Sequence, residues 1–200
     1  MDYSGSMSTL YRDGVVQELV ERLFPLALEF DDNESLDFYL FHDSYIKLAS
    51  VNMLNYSNYI RSNVSGSMGW TAYAPVLNAI YQENFFDRKR MGLSVEEKKT
   101  VEFPTYVIFI TDGSNSDKTE TTNLIREMSK KAMFIQFVWI GNSSFPFLEK
   151  LDDLTGREID NCDFFAVKDI EKMSDDDLYS NLLNEFPERL KEVKQRGLVS

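Results

Sequence analysis

The chain has one cysteine and one histidine in 200 residues, and its 21 basic residues are outnumbered by 33 acidic ones. A lone Cys162 cannot close an internal disulfide, so nothing in the cysteine pattern marks an oxidising compartment. It reads instead as a small buried apolar residue. His42, placed in His42-Asp43-Ser44 between two strand-like runs, excludes a multi-histidine metal centre and reads as a turn residue. The longest apolar run, Ala132 to Ile140, is interrupted by Gln136 and falls short of the ~20 residues that cross a bilayer. No membrane insertion is therefore expected. No basic region followed by an apolar stretch opens the chain, so no secretion signal is expected in it, and a cytoplasmic location is. The scarcity of positive charge leaves a formal net charge of −12. Such a surface repels nucleic acid and anionic lipid and concentrates divalent cations.

What is present suffices for one packed domain over residues 1–200, since 43% of the residues are hydrophobic and 14% aromatic. Val16, Leu19, Val20, Leu23, Ala27 and Phe30 recur at helical spacing, which predicts a helix over 13–30 that Pro25 kinks or interrupts. An acidic turn, Asp31-Asp32-Asn33-Glu34, lacks the Gly and distal Glu of a calcium loop and reads as a connector. Ser35 to Phe41 and Tyr45 to Val51 predict an antiparallel hairpin. A short helix over 55–63 follows, then a Gly-rich loop through Trp70 and Thr71, then a helix from about Pro75.

Residues 88–102 read as a charged surface connection, and Phe103 to Ile110 as a strand buried on both faces. A helix capped near Asp117, with Glu120 three residues on, runs to about Lys131. Ala132 to Ile140 is the next buried strand, with a turn at Gly141-Asn142. A short helix over 145–154, a last strand over 163–167 and a C-terminal helix from Ser174 to about Gln195 complete the chain. The alternation predicts an α/β fold: a doubly wound, mostly parallel sheet with one antiparallel edge strand and helices on both faces.

The residues that carry chemistry fall in three segments. The first is Asp2-Tyr3-Ser4-Gly5-Ser6, an Asp-x-Ser-x-Ser cluster. The second is the loop carrying Thr71, and the third is Asp112-Gly113 at the end of an aliphatic and aromatic run. Ser4 and Ser6, offset by two, can point the same way from an extended loop. Gly5 between them removes a side chain where the backbone must bend close to an ion. Asp2, Ser4, Ser6, Thr71 and Asp112 together make an all-oxygen cage suited to a hard divalent cation, Mg²⁺ above all, with Mn²⁺ and Ca²⁺ as variants. With only two carboxylates, the ion keeps positive charge and can accept a carboxylate from outside. Asp-x-Ser-x-Ser alone is a common Ser-rich turn; the register of the three segments gives it weight.

These residues resemble the metal-ion-dependent adhesion site of von Willebrand factor A (vWA) domains. That pattern is Asp-x-Ser-x-Ser, a distant Thr and a distant Thr-Asp-Gly, here Thr111-Asp112-Gly113. The stretches Tyr73-Ala74-Pro75-Val76, Phe109 to Gly113, Gln136 to Gly141 and Leu183 to Pro187 are similar to bacterial vWA domains of the tellurite-resistance and stress-response type (TerF-like, related to copines). The resemblance implies a Rossmann-like vWA fold in which Ser4, Ser6 and Thr71 bind the ion directly. Asp2 and Asp112 would act largely through water, and a Glu or Asp of a partner protein would complete the shell. It implies a non-catalytic, cation-dependent protein-binding module. Two departures stand out. The residue before the Thr is usually Gly, and here Trp70 is expected to narrow the approach to the ion. The central strand that should deliver Asp2 has only Met1 before it, so the chain reads as N-terminally truncated, with an aliphatic segment of about five residues expected upstream.

Two rival readings use the same residues. Asp2 could be the nucleophile of a Mg²⁺-dependent phosphohydrolase, but that mechanism wants a carboxylate two residues on, where Ser4 stands, and no Lys or Arg is placed to hold a phosphate. The other rival is a degenerate scaffold that holds no metal.

Overall fold

The computed structural model describes residues 1–30, 34–66, 68–88, 95–113, 115–141 and 146–200. The turn predicted at 31–34 lies outside them apart from Glu34, as does Asn142 of the turn predicted at 141–142. The helices are α1 (Ser8–Arg12), α2 (Val15–Phe30), α3 (Tyr59–Asn63), α4 (Ala74–Phe85), α5 (Lys118–Met128), α6 (Pro146–Asp152), α7 (Asp175–Leu183) and α8 (Phe186–Gln195). The strands are β1 (Tyr39–Phe41), β2 (Tyr45–Lys47), β3 (Phe86–Arg88), β4 (Val95–Glu97), β5 (Thr105–Thr111), β6 (Met133–Ile140) and β7 (Cys162–Val167).

Strands β5, β6 and β7 form a parallel sheet in that order, with Thr105 opposite Met133 and Ile135 opposite Cys162. Every residue of β6 is buried, and its side chains part by alternation, as a strand covered on both faces requires. Val138 and Ile140 pack with Leu19 and Leu23 of α2 and Leu178 and Leu182 of α7. Ile135, Phe137 and Trp139 pack with Leu77 of α4, Ile125 of α5 and Leu148 of α6. Helices therefore cover both faces. Each large apolar side chain so buried contributes roughly 1.5–3 kcal/mol, which makes this double-sided strand the main source of cohesion.

Residues 1–4 join this sheet to the β1–β2 hairpin. The Asp2 amide donates to Ile110 O at 2.9 Å, while the Tyr3 amide donates to Phe41 O at 2.7 Å and the Phe41 amide to Met1 O at 3.0 Å. Asp2 pairs parallel with Phe41, and β1 pairs antiparallel with β2, whose three residues are exposed as an edge strand should be. Residues 1–4, with Asp2 and Ser4 of the Asp-x-Ser-x-Ser cluster among them, thus lie in the position expected of the central strand.

Three local expectations are corrected, and of the two outcomes expected at Pro25 the ending of the helix is excluded. Helix α2 runs through Pro25 without ending: Pro25 is exposed, so the carbonyl it leaves unpaired can meet water, while Leu23 and Phe24 hold the apolar face in the core. Part of the predicted surface connection is an antiparallel hairpin, β3 with β4, Phe86 opposite Glu97. That pairing has no apolar alternation to announce it. Strand β5 begins at Thr105 after Pro104, leaving Phe103 exposed. The C-terminal helix is two helices, because Pro187 lacks an N–H and opens α8 in its first turn. The cap at Ser174 is as expected: its Oγ accepts from the Asp177 amide at 3.1 Å.

Candidate metal centre

The site is assembled at the carboxyl end of β5, from three loops that the sheet brings into register. After the extended residues 1–4 the chain tightens into a 3-10 turn, Gly5–Met7, that runs into α1. The turn is closed by Asp2, whose Oδ1 accepts from the Ser4 amide at 2.8 Å. Asp2 Oδ2 accepts from Thr111 Oγ1 at 2.6 Å. With the side chain wholly buried and both oxygens engaged, Asp2 acts as a clamp between the first loop and β5.

The hydroxyls lie just beyond this clamp. Ser6 Oγ donates to Asp112 Oδ1 at 2.8 Å, and the Oγ atoms of Ser4 and Ser6 are 3.0 Å apart. Asp2, Ser4 and Ser6 of the first loop and Asp112, remote from them in sequence, thus form one hydrogen-bonded group. Thr71 belongs to a cleft lined also by Ser4, Gly5, Ser6, Trp70 and Ser116. Its loop is tied to the first by the Gly5 amide, which donates to Gly69 O at 3.3 Å, and to the third by Ser116, whose amide and hydroxyl donate to Thr71 O at 2.9 and 3.0 Å. Trp70 is 83% exposed and forms part of the cleft's rim.

Electrostatics set this cluster apart. Burial, reinforced by the nearby Asp2 charge, raises the Asp112 carboxyl above its ordinary value, against the lowering effect of the Ser6 hydroxyl. Among the described residues no Lys or Arg acts on it. Among the described residues no three His, Cys, Asp or Glu side chains gather as a metal-holding group. The donor set here is mostly hydroxyl, with two carboxylates. That chemistry fits a small hard cation that keeps part of its water shell, and is unsuited to zinc or copper.

Several supporting residues were missed by sequence reasoning. Asp117 reads in sequence as the cap of α5, yet its side chain makes no capping bond there. Instead Oδ1 accepts from the Tyr73 amide at 3.0 Å and Oδ2 from the Ala74 amide at 2.7 Å, which caps α4 from the neighbouring loop. The Tyr73 hydroxyl, 3.1 Å from Thr111 Oγ1, donates to Gly113 O at 2.6 Å and so holds the Asp112 loop from below. Gly69 allows a close approach: a Cβ there would stand 2.9 Å from Asp43 Oδ1 and 3.1 Å from His42 Cβ, so both would have to give way. The polar pair after β5, Asn115 and Asp117, joined by a 2.7 Å hydrogen bond from Asn115 Nδ2 to Asp117 Oδ1, was the sequence signal for this support.

Comparison with known proteins agrees with this architecture. The family model for the vWA-TerF-like domain, described as the vWA domain found in the TerF C terminus, matches residues 1–199. The chain belongs to the vWA-TerF-like family. It is 36% identical over 204 residues to the uncharacterized protein YcbR of Bacillus subtilis (strain 168), a match covering 100% of this chain and 79% of that protein. Among solved structures, proximal thread matrix protein 1 from the mussel byssus superposes with a TM-score of 0.55 at 17% identity, over 92% of this chain and 44% of that one. That similarity speaks for the fold. The vWA assignment accounts for the parallel sheet, its helices on both faces and the three loops meeting at one sheet end.

Proposed function

We propose that this vWA domain is a non-catalytic, divalent-cation-dependent protein-binding module, in which Ser4, Ser6 and Thr71 hold Mg²⁺ or a similar ion. Asp112 would lie against the ion or its waters, and Asp2 would fix the loop. The bound ion would supply a residual positive charge that accepts a Glu or Asp side chain of a partner protein. The observation that carries this reading is the Ser4–Ser6–Asp112 group, in which a raised carboxyl is met by hydroxyls and by no basic side chain. A role in a bacterial tellurite or stress response, in the cytoplasm, is proposed on the family likeness alone. The phosphohydrolase alternative is disfavoured by Asp2 itself: a buried carboxylate whose two oxygens already accept from Ser4 and Thr111 is a poor nucleophile.

The test is thermal unfolding with and without Mg²⁺ or Mn²⁺. An ion at about ten times its Kd stabilises by about 1.4 kcal/mol, or roughly 3–6 °C for a chain of this size. Asp112→Asn should abolish that shift while slightly raising the melting temperature of the metal-free protein, because it removes a carboxyl whose ionisation the fold opposes. The wild-type shift should also shrink as pH falls, since Asp112 takes up its proton at a higher pH than an ordinary carboxylate. An equal shift in Asp112→Asn would overturn the assignment.

A further inference from the structure

Of the two tryptophans, Trp139 is 4% exposed, whereas Trp70 is 83% exposed on the rim of the candidate metal cleft. Trp70 adjoins Thr71, a proposed ligand, and its loop is bonded on both sides. Gly69 O accepts from the Gly5 amide, Thr71 O accepts from Ser116, and the Ala72 amide donates to His42 O at 2.8 Å. An aromatic side chain on so fixed a backbone loses little freedom on contact, which is why tryptophan recurs as an anchor at interfaces. Once covered, a side chain of this kind removes about 150–250 Å² from water.

The cleft has a volume of about 550 Å³. A glutamate side chain, from Cβ to its carboxylate oxygens, fills roughly 150 Å³ at the ~30 Å³ per heavy atom of liquid water. An acidic residue directed at the ion therefore leaves most of the cleft free. Besides Trp70, the described lining consists of glycines and the small polar residues Ser4, Ser6, Thr71, Asn115 and Ser116. None of these carries a charge that could pair with a second charge on a visitor. A cation in the same cleft would also be repelled by the bound ion. Among the described lining residues the indole is the one large apolar group, and it suits an apolar side chain. A Cβ on Gly5 would meet nothing within 4 Å, so the first loop leaves room beside the hydroxyls.

We propose that this cleft reads two neighbouring side chains of a partner segment: an acidic residue at the ion, and an aliphatic or aromatic residue that covers the Trp70 indole. The acidic half rests on the metal reading, and the apolar half on Trp70 and the size of the cleft alone. The pairing has a physical reason. With its net charge of −12, the domain repels an acidic segment at long range. Apolar contact with the indole supplies attraction that does not depend on charge.

The experiment is a tryptophan-fluorescence titration of the whole chain, in Mg²⁺, with the acetylated and amidated peptide Gly-Leu-Glu-Leu-Gly. Leu on both sides of Glu makes the order of the pair immaterial. The comparison peptides carry Ala or Lys in place of both Leu residues, or Gln in place of Glu. The Leu peptide should bind about three- to tenfold tighter than the Ala peptide, and should shift the exposed-tryptophan emission to the blue. Trp70→Ala should erase both effects, and Trp70→Phe should keep part of the preference. Equal binding of the Leu and Ala peptides overturns the proposal, as does tighter binding of the Lys peptide, a Leu preference that survives Trp70→Ala, or binding by none of the peptides. A concentration-dependent dimer that Trp70→Ala dissolves would overturn it too, by making a second copy the occupant. Failure of the metal reading looks different: Glu and Gln peptides would bind alike and no Asp112-dependent thermal shift would appear, while the Leu preference persisted.

Discussion

Two groups of charged side chains sit at opposite ends of the same parallel sheet and solve the same problem differently. At the amino end of β7, Arg189 is buried, contacts Glu185 and donates to Cys162 O at 2.5 Å. Beside it Arg157 pairs with Asp160 at 2.7 Å. There the protein supplies its own cations to its carboxylates. At the carboxyl end of β5, Asp2 and Asp112 are met by Ser4, Ser6 and Thr111, which offer hydrogen bonds, and among the described residues no Lys or Arg side chain pairs with either. The first group is closed within the chain, and the second retains a demand for positive charge. Geometry alone would not separate them; the presence or absence of an internal guanidinium does.

The comparison is broken most forcefully at Asp2. Asp2→Ala would leave the Ser4 amide and the Thr111 hydroxyl without their acceptor in a buried place, at about 1–3 kcal/mol each. Urea unfolding should show a loss of roughly 3 kcal/mol, and the metal response should vanish with it. A loss below about 1 kcal/mol would mean that Asp2 is not the clamp.

Arg189→Met tests the other end. It removes the buried guanidinium from Glu185 and from Cys162 O, for an expected cost of about 2–3 kcal/mol. The Mg²⁺-induced shift should nevertheless survive in full. If it shrinks, the two ends of the sheet are coupled and the contrast between them fails.

The smallest effect sharpens the charge argument at the amino end. Burial, then the charges of Asp163, Glu185, Asp160 and Asp153, push the Asp152 carboxyl up from 3.8 to about 6. A raised carboxyl contributes stability that is fully present below its unfolded value and is lost as pH rises through about 6. Asp152→Asn should therefore match wild type in acid and melt a few degrees higher near neutral pH, as read from paired thermal scans. A melting difference that stays constant across that window would show that the guanidinium groups neutralise Asp152 as well.

Much of the architecture was legible beforehand for a simple reason. Strand β6 is apolar along its length but for Gln136, and such a run reports burial directly when a strand is covered on both faces. The residues of the candidate site were legible as a group because Asp-x-Ser-x-Ser and Thr-Asp-Gly are short and carry their chemistry locally. What escaped was the use of side chains across loops. Asp117 is a plausible helix cap from its neighbours in sequence, and only the approach of the α4 N-terminus gives it better donors. The β3–β4 hairpin escaped because its pairing is a backbone matter that its charged side chains do not announce.

By itself the sequence determined which segments are apolar and alternate, where turns fall, and that hydroxyls and carboxylates, not thiols or imidazoles, are the available donors. Those are properties of residues and their spacing. Tertiary structure alone decided that Asp2 spends both oxygens as a clamp, that Asp112 meets the Ser6 hydroxyl and, among the described residues, no Lys or Arg, and that Trp70 stands exposed on a bonded loop. Each depends on which distant backbone lies alongside once the sheet has set its register, and short-range spacing carries no record of that.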